Sequence, residues 1–168
     1  MKSEKFRTWK VTLDLRICGR CFMQHGQIYE VGDWIEPAPP LHARCRCVIE
    51  ALKVRRAGTA TKNGKDGADW WLKNTGKLPE YYVTQAEAKK YGYRPILGNL
   101  AQVLPGKMIT KGVYKNRNGH LPTAPGRIWY EADINYKGGF RGMARVVYSN
   151  DGLIFVAYNH YFTFEAIA

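Results

Sequence analysis

Glu131, Arg141, Arg145 and His160 stand among β-branched and aromatic residues between Gly126 and Phe164. A carboxylate can take a proton, an imidazolium can give one, and guanidiniums grip phosphate oxygens in pairs. Those types suit acid–base chemistry on a phosphodiester. In RNA cleavage a carboxylate can be the base for the 2′-hydroxyl and a histidinium the acid for the departing 5′-oxygen. The arginines are fixed cations for charge growing on the phosphate. Strand alternation groups them further. Along 127–134, Ile128, Tyr130, Ala132 and Ile134 share one face, and Arg127, Trp129, Glu131 and Asp133 share the other. Asp133 is therefore placed to hold the arginines. Residue types alone leave open a solvated ion-pair face and a structural histidine.

A second set of chemistry-bearing residues lies near the other end. All four cysteines fall in Cys18-x-x-Cys21 and Cys45-x-Cys47, with 23 residues between the pairs. Two thiols in a knuckle and two on one face of a strand can make a tetrahedral zinc site, and His42 is an alternative ligand for a Cys₃His set. One or two disulfides, or unligated buried thiols, are the other outcomes.

The elements that must position these groups are expected to form an α+β fold, with helices first and an antiparallel sheet after. Asp66 is placed to cap a helix over 67–75, and Thr84-Gln-Ala-Glu87 is a capping box for a helix through Lys90. Asn99 precedes a short helix over 100–103. Strands are expected over 108–114, 127–134, 144–148, 153–158 and 161–165, with Ser149-Asn-Asp-Gly152 as a hairpin turn. In front, 9–17 alternates as a half-buried strand and 27–31 reads as another. Residues 55–66 are small, polar and basic without periodicity. They read as a linker between a Cys-rich module (1–54) and the main domain (67–168).

The 168 residues carry a net charge of +12. Residues 1–66 hold 13 Lys+Arg against 7 Asp+Glu, and residues 67–168 hold the same numbers. An excess spread over both halves favours an anionic partner such as nucleic acid. No apolar run approaches the ~20 residues of a membrane span. The first ten residues have no apolar core, so no signal peptide is visible.

From about Ala68 onward the chain resembles the barnase family of bacterial guanyl-preferring ribonucleases. The motifs that carry the resemblance arrive in order: Lys77-Leu-Pro, Thr84-Gln-Ala-Glu-Ala, Gly98-Asn-Leu-Ala, Pro105-Gly-Lys, Asn116-Arg, Gly119-His-Leu-Pro, Gly126-Arg-Ile-Trp-Tyr-Glu-Ala-Asp-Ile-Asn-Tyr, Gly139-Phe-Arg, Arg145-Val-Val-Tyr-Ser and His160-Tyr-Phe-Thr-Phe. The resemblance implies a microbial ribonuclease fold, with helices packed on the sheet. It implies Glu131 as general base, His160 as general acid, and Arg141 and Arg145 on the scissile phosphate. Tyr114, Lys115, Asn116 and Arg117 would read guanine and Tyr161 would pack on the base. RNA would be cleaved through a 2′,3′-cyclic phosphate, with no cofactor for catalysis. A toxin is implied, secreted or delivered into target cells and restrained by an acidic barstar-like inhibitor; the sequence leaves its oligomeric state open, and a monomer is the expectation.

Three positions depart from the family pattern. Gln85 replaces a lysine near the phosphate, Asn118 a glutamate that accepts from guanine, and Asn159 an aspartate before the histidine. These departures leave room for a non-catalytic nucleic-acid-binding or head-assembly module as the alternative reading. Residues 1–54 are similar to the C-terminal end of phage Mu F-like minor head proteins. That similarity rests on the CxxC pair and Pro39-Pro-Leu-His-Ala-Arg-Cys45-Arg-Cys47.

Overall fold

Strands β6 (Trp129–Asp133), β7 (Arg145–Ser149) and β8 (Ile154–Ala157) are dominated by β-branched and aromatic residues, and β7 and β8 are joined by a tight turn at Asn150–Gly152. All four residues of β8 are buried, as in a strand covered on both faces. Alternation divides the side chains between two cores. Ala132, Val146, Ile154 and Val156 cluster with Ala68 and Leu72 of helix α2 (Ala68–Thr75). Trp129, Val147, Phe155 and Ala157 cluster on the opposite face with Leu121 and Phe164. That second cluster also contains Phe6, Ile28, Leu52 and Val54 from the front of the chain.

The computed structural model describes all of residues 1–168. The fold is α+β, and its sheet has nine strands. In chain order the remaining elements are β1 (Lys2–Lys10), α1 (Gly19–Gln24), β2 (Ile28–Glu30), β3 (Val48–Arg55), β4 (Tyr82–Thr84), α3 (Gln85–Lys90), α4 (Leu100–Val103), β5 (Met108–Tyr114) and β9 (Glu165–Ile167). The order across the sheet is β2-β1-β3-β9-β8-β7-β6-β5-β4. The pairs β3/β9 and β4/β5 are parallel and the rest antiparallel, so the sheet is mixed and not the antiparallel sheet expected.

The helix over 85–90 starts as expected: Thr84 accepts from the Glu87 amide while the Glu87 carboxylate accepts from the Thr84 amide. Gly67 stands at the cap of α2, not Asp66. The last strand lies at 165–167 because His160 (φ 56°) and Tyr161 (φ 66°) are left-handed, which breaks an extended run over 161–165. At the front, β1 is displaced toward the N-terminus relative to 9–17. Its pairing with β3 through Trp9–Ile49 sets the register, and the chain turns at Asp14, whose carboxylate accepts from the Arg16 amide.

Residues 55–66, expected as a linker, are structured. Val54 and Arg55 pair with Ala166 and Ile167, and the Ala57 amide donates to the Ala168 carbonyl. The loop then folds onto the first turn of α2. There the wholly buried Asp69 accepts from the Gly58 amide (2.7 Å), the Ala60 amide (2.9 Å) and the Thr61 hydroxyl (3.1 Å). The small, polar composition suits this loop because its backbone amides serve a buried carboxylate. Gly67 meets it closely, since a Cβ there would lie 1.9 Å from Thr61 Oγ1.

Asp69→Ala strips two buried amides and a hydroxyl of their acceptor. It is expected to lower unfolding stability by about 2–4 kcal/mol. Urea denaturation checks this as a lower midpoint with an unchanged slope.

Candidate active site

Register places the charged groups. Asp133 of β6 lies directly opposite Arg145 of β7, so their side chains share a face. Glu131, two residues back, is opposite Val147. On its other side Glu131 meets β5 at an irregularity. Thr110 pairs with Ala132 and Gly112 with Glu131, leaving Lys111 as an extra residue in the ladder. Gly112 takes φ 74°, which an L side chain rarely adopts, and brings no side chain against Glu131. The Thr110 hydroxyl ties the bulge down by donating to the Glu131 carbonyl at 3.0 Å.

Asp133 hydrogen-bonds Arg141 and forms an ion pair with Arg145, whose Nε has no hydrogen-bond partner. Asp133 is 1% exposed. Its Oδ1 accepts from Arg141 Nη2 at 2.6 Å, and its Oδ2 from Arg141 Nε. Arg145 Nε lies 3.0 Å from the same Oδ1. Arg145 Nη1 donates to the carbonyls of Gly142 (2.7 Å) and Ala144 (2.8 Å). Burial works against the Arg141 charge, but the Asp133 carboxylate outweighs it and raises the guanidinium pKa further.

Tyr161 joins this cluster to the loop after β5. Its hydroxyl donates to Glu131 Oε2 and its ring stacks on Tyr114, with centroids 5.1 Å apart. Burial raises the Tyr161 hydroxyl, and the Glu131 charge raises it further. The same two causes, in the same order, push Tyr114 up to about 12. His160 is exposed beside Tyr161, ring centroids 4.9 Å apart. Together with Tyr114, Lys115, Asn116, Arg117, Asn118 and Tyr161 it lines an open cleft of about 270 Å³. Within that loop Asn116 is left-handed (φ 43°). Its side chain accepts from the Leu121 amide (3.1 Å) and donates to the Leu121 carbonyl (2.8 Å), so its amide group is spent on holding the loop. Lys115, Arg117 and Asn118 are exposed.

Asp133, Arg141 and Arg145 form one bonded set and Glu131 and Tyr161 another, the two carboxylates sharing one face of β6, and His160 adjoins Tyr161 with the cleft residues. Gln85 opens α3, after β4, and its side chain makes no hydrogen bond.

His120 went unread as a site residue. It is buried, and its Nδ1 lies 3.1 Å from Asn118 Nδ2 and 3.3 Å from the Tyr161 carbonyl oxygen. Its only signal in the sequence was a place in Gly119-His-Leu-Pro, which shows no partner. A second buried histidine, His25, accepts at Nδ1 from the Val11 amide at 3.2 Å and packs on Phe162, centroids 5.0 Å apart. Burial lowers the pKa of both histidines. For His25 the positive charge of a protonated His120 and of Lys10 adds to it, while for His120 the Tyr161 carbonyl opposes it.

The cysteines converge as expected, and His42 is among them. Cys18, Cys21 and His42 form one triad of donor atoms, and Cys21, Cys45 and Cys47 a second, each within 4.8 Å. His42 Nε2 lies 3.3 Å from Cys18 Sγ and 3.2 Å from Cys21 Sγ, and Cys21 Sγ lies 3.8 Å from Cys45 Sγ. Two thiolates on one tetrahedral zinc stand about 3.8 Å apart, given Zn–S bonds of about 2.3 Å. His42 Nδ1–H donates to the Ala43 carbonyl at 2.6 Å, which turns Nε2 and its lone pair toward the sulfurs. The Cys21 amide, donating to Cys18 Sγ, pulls that thiol down to about 7. Burial pushes Cys45 up, but backbone hydrogen bonds from Cys47 and Leu41 outweigh it and hold it at about 6. Burial pushes the Cys21 and Cys47 thiols up, so thiolate character is confined to Cys18 and Cys45, and it is the donor types and spacing that fit a metal ion.

A family model described as ribonuclease matches residues 65–168. Over 108 residues the chain is 47% identical to a ribonuclease of Heyndrickxia coagulans, covering 64% of this chain and 99% of that protein. It is 47% identical over 108 residues to ribonucleases of Bacillus intermedius and Bacillus pumilus, covering 64% of this chain and 67% of each of those proteins. The resemblance read from the motifs is thereby borne out for the C-terminal part of the chain.

The buried histidines set a pH dependence. Their folded pKa values are lowered, so the unfolded chain binds protons that the folded one refuses. Their contribution to stability is intact above the unfolded value of about 6.5 and is lost as pH falls from there through the folded values. Urea midpoints taken from pH 7.5 to 5 are expected to fall. The fall should be shallower in the His25→Gln, His120→Gln double variant.

Proposed function

This chain belongs to the ribonuclease family and is an endoribonuclease, and from that premise we propose that it cleaves single-stranded RNA by metal-independent acid–base transesterification. The observation that carries the reading is the shared face of β6 and β7. On it Glu131, bonded to Tyr161, stands two residues from Asp133, which pairs with two guanidiniums, and His160 adjoins Tyr161. The same observation favours this reading over a non-catalytic binding module.

Glu131 is the general base. Tyr161 occupies Oε2, which leaves Oε1 to take the 2′-hydroxyl proton. The 2′-oxygen then bonds to phosphorus, the P–O5′ bond breaks, and His160 gives its proton to the leaving 5′-oxygen. The product is a 2′,3′-cyclic phosphate. Water enters by the reverse proton transfers, with His160 as base and Glu131 as acid. Arg141 and Arg145 neutralise charge on the non-bridging oxygens, and their fixed geometry avoids reorganisation at the moment of reaction.

The cleft lined by Tyr114, Lys115, Arg117 and Asn118 takes the base on the 5′ side of the cut. Guanine is recognised through backbone amides of the loop. Preference for it is modest, because the Asn118 amide accepts hydrogen bonds less strongly than a carboxylate. The excess positive charge attracts RNA, and it offers the same handle to an acidic, barstar-like inhibitor protein that would restrain the enzyme as a toxin. Zinc, held by Cys18, Cys21 and His42 with a further thiolate from Cys45 or Cys47, fastens the front of the chain and takes no part in the chemistry. Elemental analysis should find one zinc per chain, absent from Cys21→Ser. A disulfide between these thiols with no metal would contradict it.

Glu131→Ala and His160→Ala are each expected to reduce cleavage of a guanine-containing dinucleotide by roughly 10²- to 10⁴-fold with the fold intact. Chromatography of the native reaction should show the cyclic phosphate ahead of the 3′-phosphate. A product that never passes through a cyclic phosphate would sink the mechanism.

A further inference from the structure

The turn that carries His160 and Tyr161 is gripped by the front of the chain. Two successive non-glycine residues in the left-handed region do not stay there unaided. On one side the turn is held by its own bonds: the Asn159 and Thr163 side chains pair, and the His160 amide donates to the Met143 carbonyl. On the other side lies the segment from α1 to β2. Phe162 packs against Phe22 (5.8 Å between centroids) and His25 (5.0 Å). Gly26, at φ +83°, lies so close that a Cβ there would be 2.3 Å from the Phe162 carbonyl oxygen. Two residues on, the Ile28 amide donates to the His120 carbonyl at 2.8 Å, and the His120 ring lies 3.3 Å from the Tyr161 carbonyl oxygen. One short segment thus touches both the catalytic turn and the base-reading loop. Its far end is fixed at the cysteine cluster, because Cys18 caps α1 and Cys21 lies within it.

We propose that Phe22–Ile28 is a positioning element for catalysis: it sets where the turn places His160 and Tyr161. The proposal rests on the reading of His160 as the acid and gives the front of the chain a part in the reaction without touching substrate. Residues 22–28 lie outside the span matched by the ribonuclease family model, 65–168, so the device belongs to this chain's own front segment.

Two glycines allow a clean test. Gly26 and Gly32 both have positive φ (83° and 104°), so alanine strains the backbone at either. Only at Gly26 does the new methyl press on the turn, since a Cβ at Gly32 meets nothing within 4 Å. Gly26→Ala is expected to lower kcat on the order of 10- to 100-fold, the scale of a misplaced catalytic group. It should also shift the NMR signal of the His160 ring, while Gly32→Ala changes neither. Phe22 is half exposed, so Phe22→Ala keeps the fold if Gly26→Ala does not. It should lower kcat severalfold and move the same signal, with Phe22→Tyr restoring both. An unchanged His160 signal and rate in a folded Gly26→Ala or Phe22→Ala would overturn the proposal. A shifted signal with an unchanged rate would uphold the positioning and instead contradict His160 as the acid.

Discussion

A single buried carboxylate, Asp133, binds two guanidiniums at once, and the rest of the site is arranged around that interaction. Arg141 and Arg145 both stand within reach of the same oxygen. Two cations that close, Arg145 buried and Arg141 partly so, would repel each other and lose hydration, and the anion between them offsets both costs. The arrangement carries one net positive charge in a largely dry place, which suits a seat for a phosphate. Antiparallel register supplies the geometry: Asp133 faces Arg145 across β6 and β7, and two residues back along β6 the same face presents Glu131. On the other side of β6 the ladder with β5 is interrupted by the bulge at Lys111 and Gly112.

The front of the chain is part of the same body. Through β3 and β9 the sheet runs without a break, and Phe6, Leu52 and Val54 share a core with Trp129 and Phe155. Phe6 and Phe155 meet edge to face at 5.1 Å. The face of the sheet that carries Glu131 is thus closed at one end by residues from the front. The cleft stays open at the other end, where Tyr114 and the loop after it emerge.

How much of this could be read from residues alone depended on the range of the forces involved. Period-2 alternation over 127–134 put Glu131 and Asp133 on one face, and the capping box at Thr84 fixed the start of α3, because both are local effects. Pairing partners were not legible. Nothing in Val48–Arg55 announces that it will lie beside Glu165–Ile167, more than a hundred residues on, so its last residue, Arg55, was read as the start of a linker. The last strand was misplaced because left-handed geometry at His160 and Tyr161 is imposed by the surroundings and has no glycine to mark it. His120 was passed over for the same reason: its importance is a matter of what touches it. The cysteine cluster was legible in its spacing, with His42 as the alternative ligand, and the folded loop shows that His42 lies against Cys18 and Cys21.

Where a phosphate binds decides whether the Asp133–arginine group is the catalytic seat. The most direct measurement is a crystal structure of the chain with a guanosine 3′-phosphate. The expected result is a phosphate hydrogen-bonded by Arg141 and Arg145 while both still bind Asp133, flanked by Glu131 and His160, with the base over the 114–118 loop. A phosphate bound elsewhere, or arginines that leave Asp133 to reach it, would contradict the account.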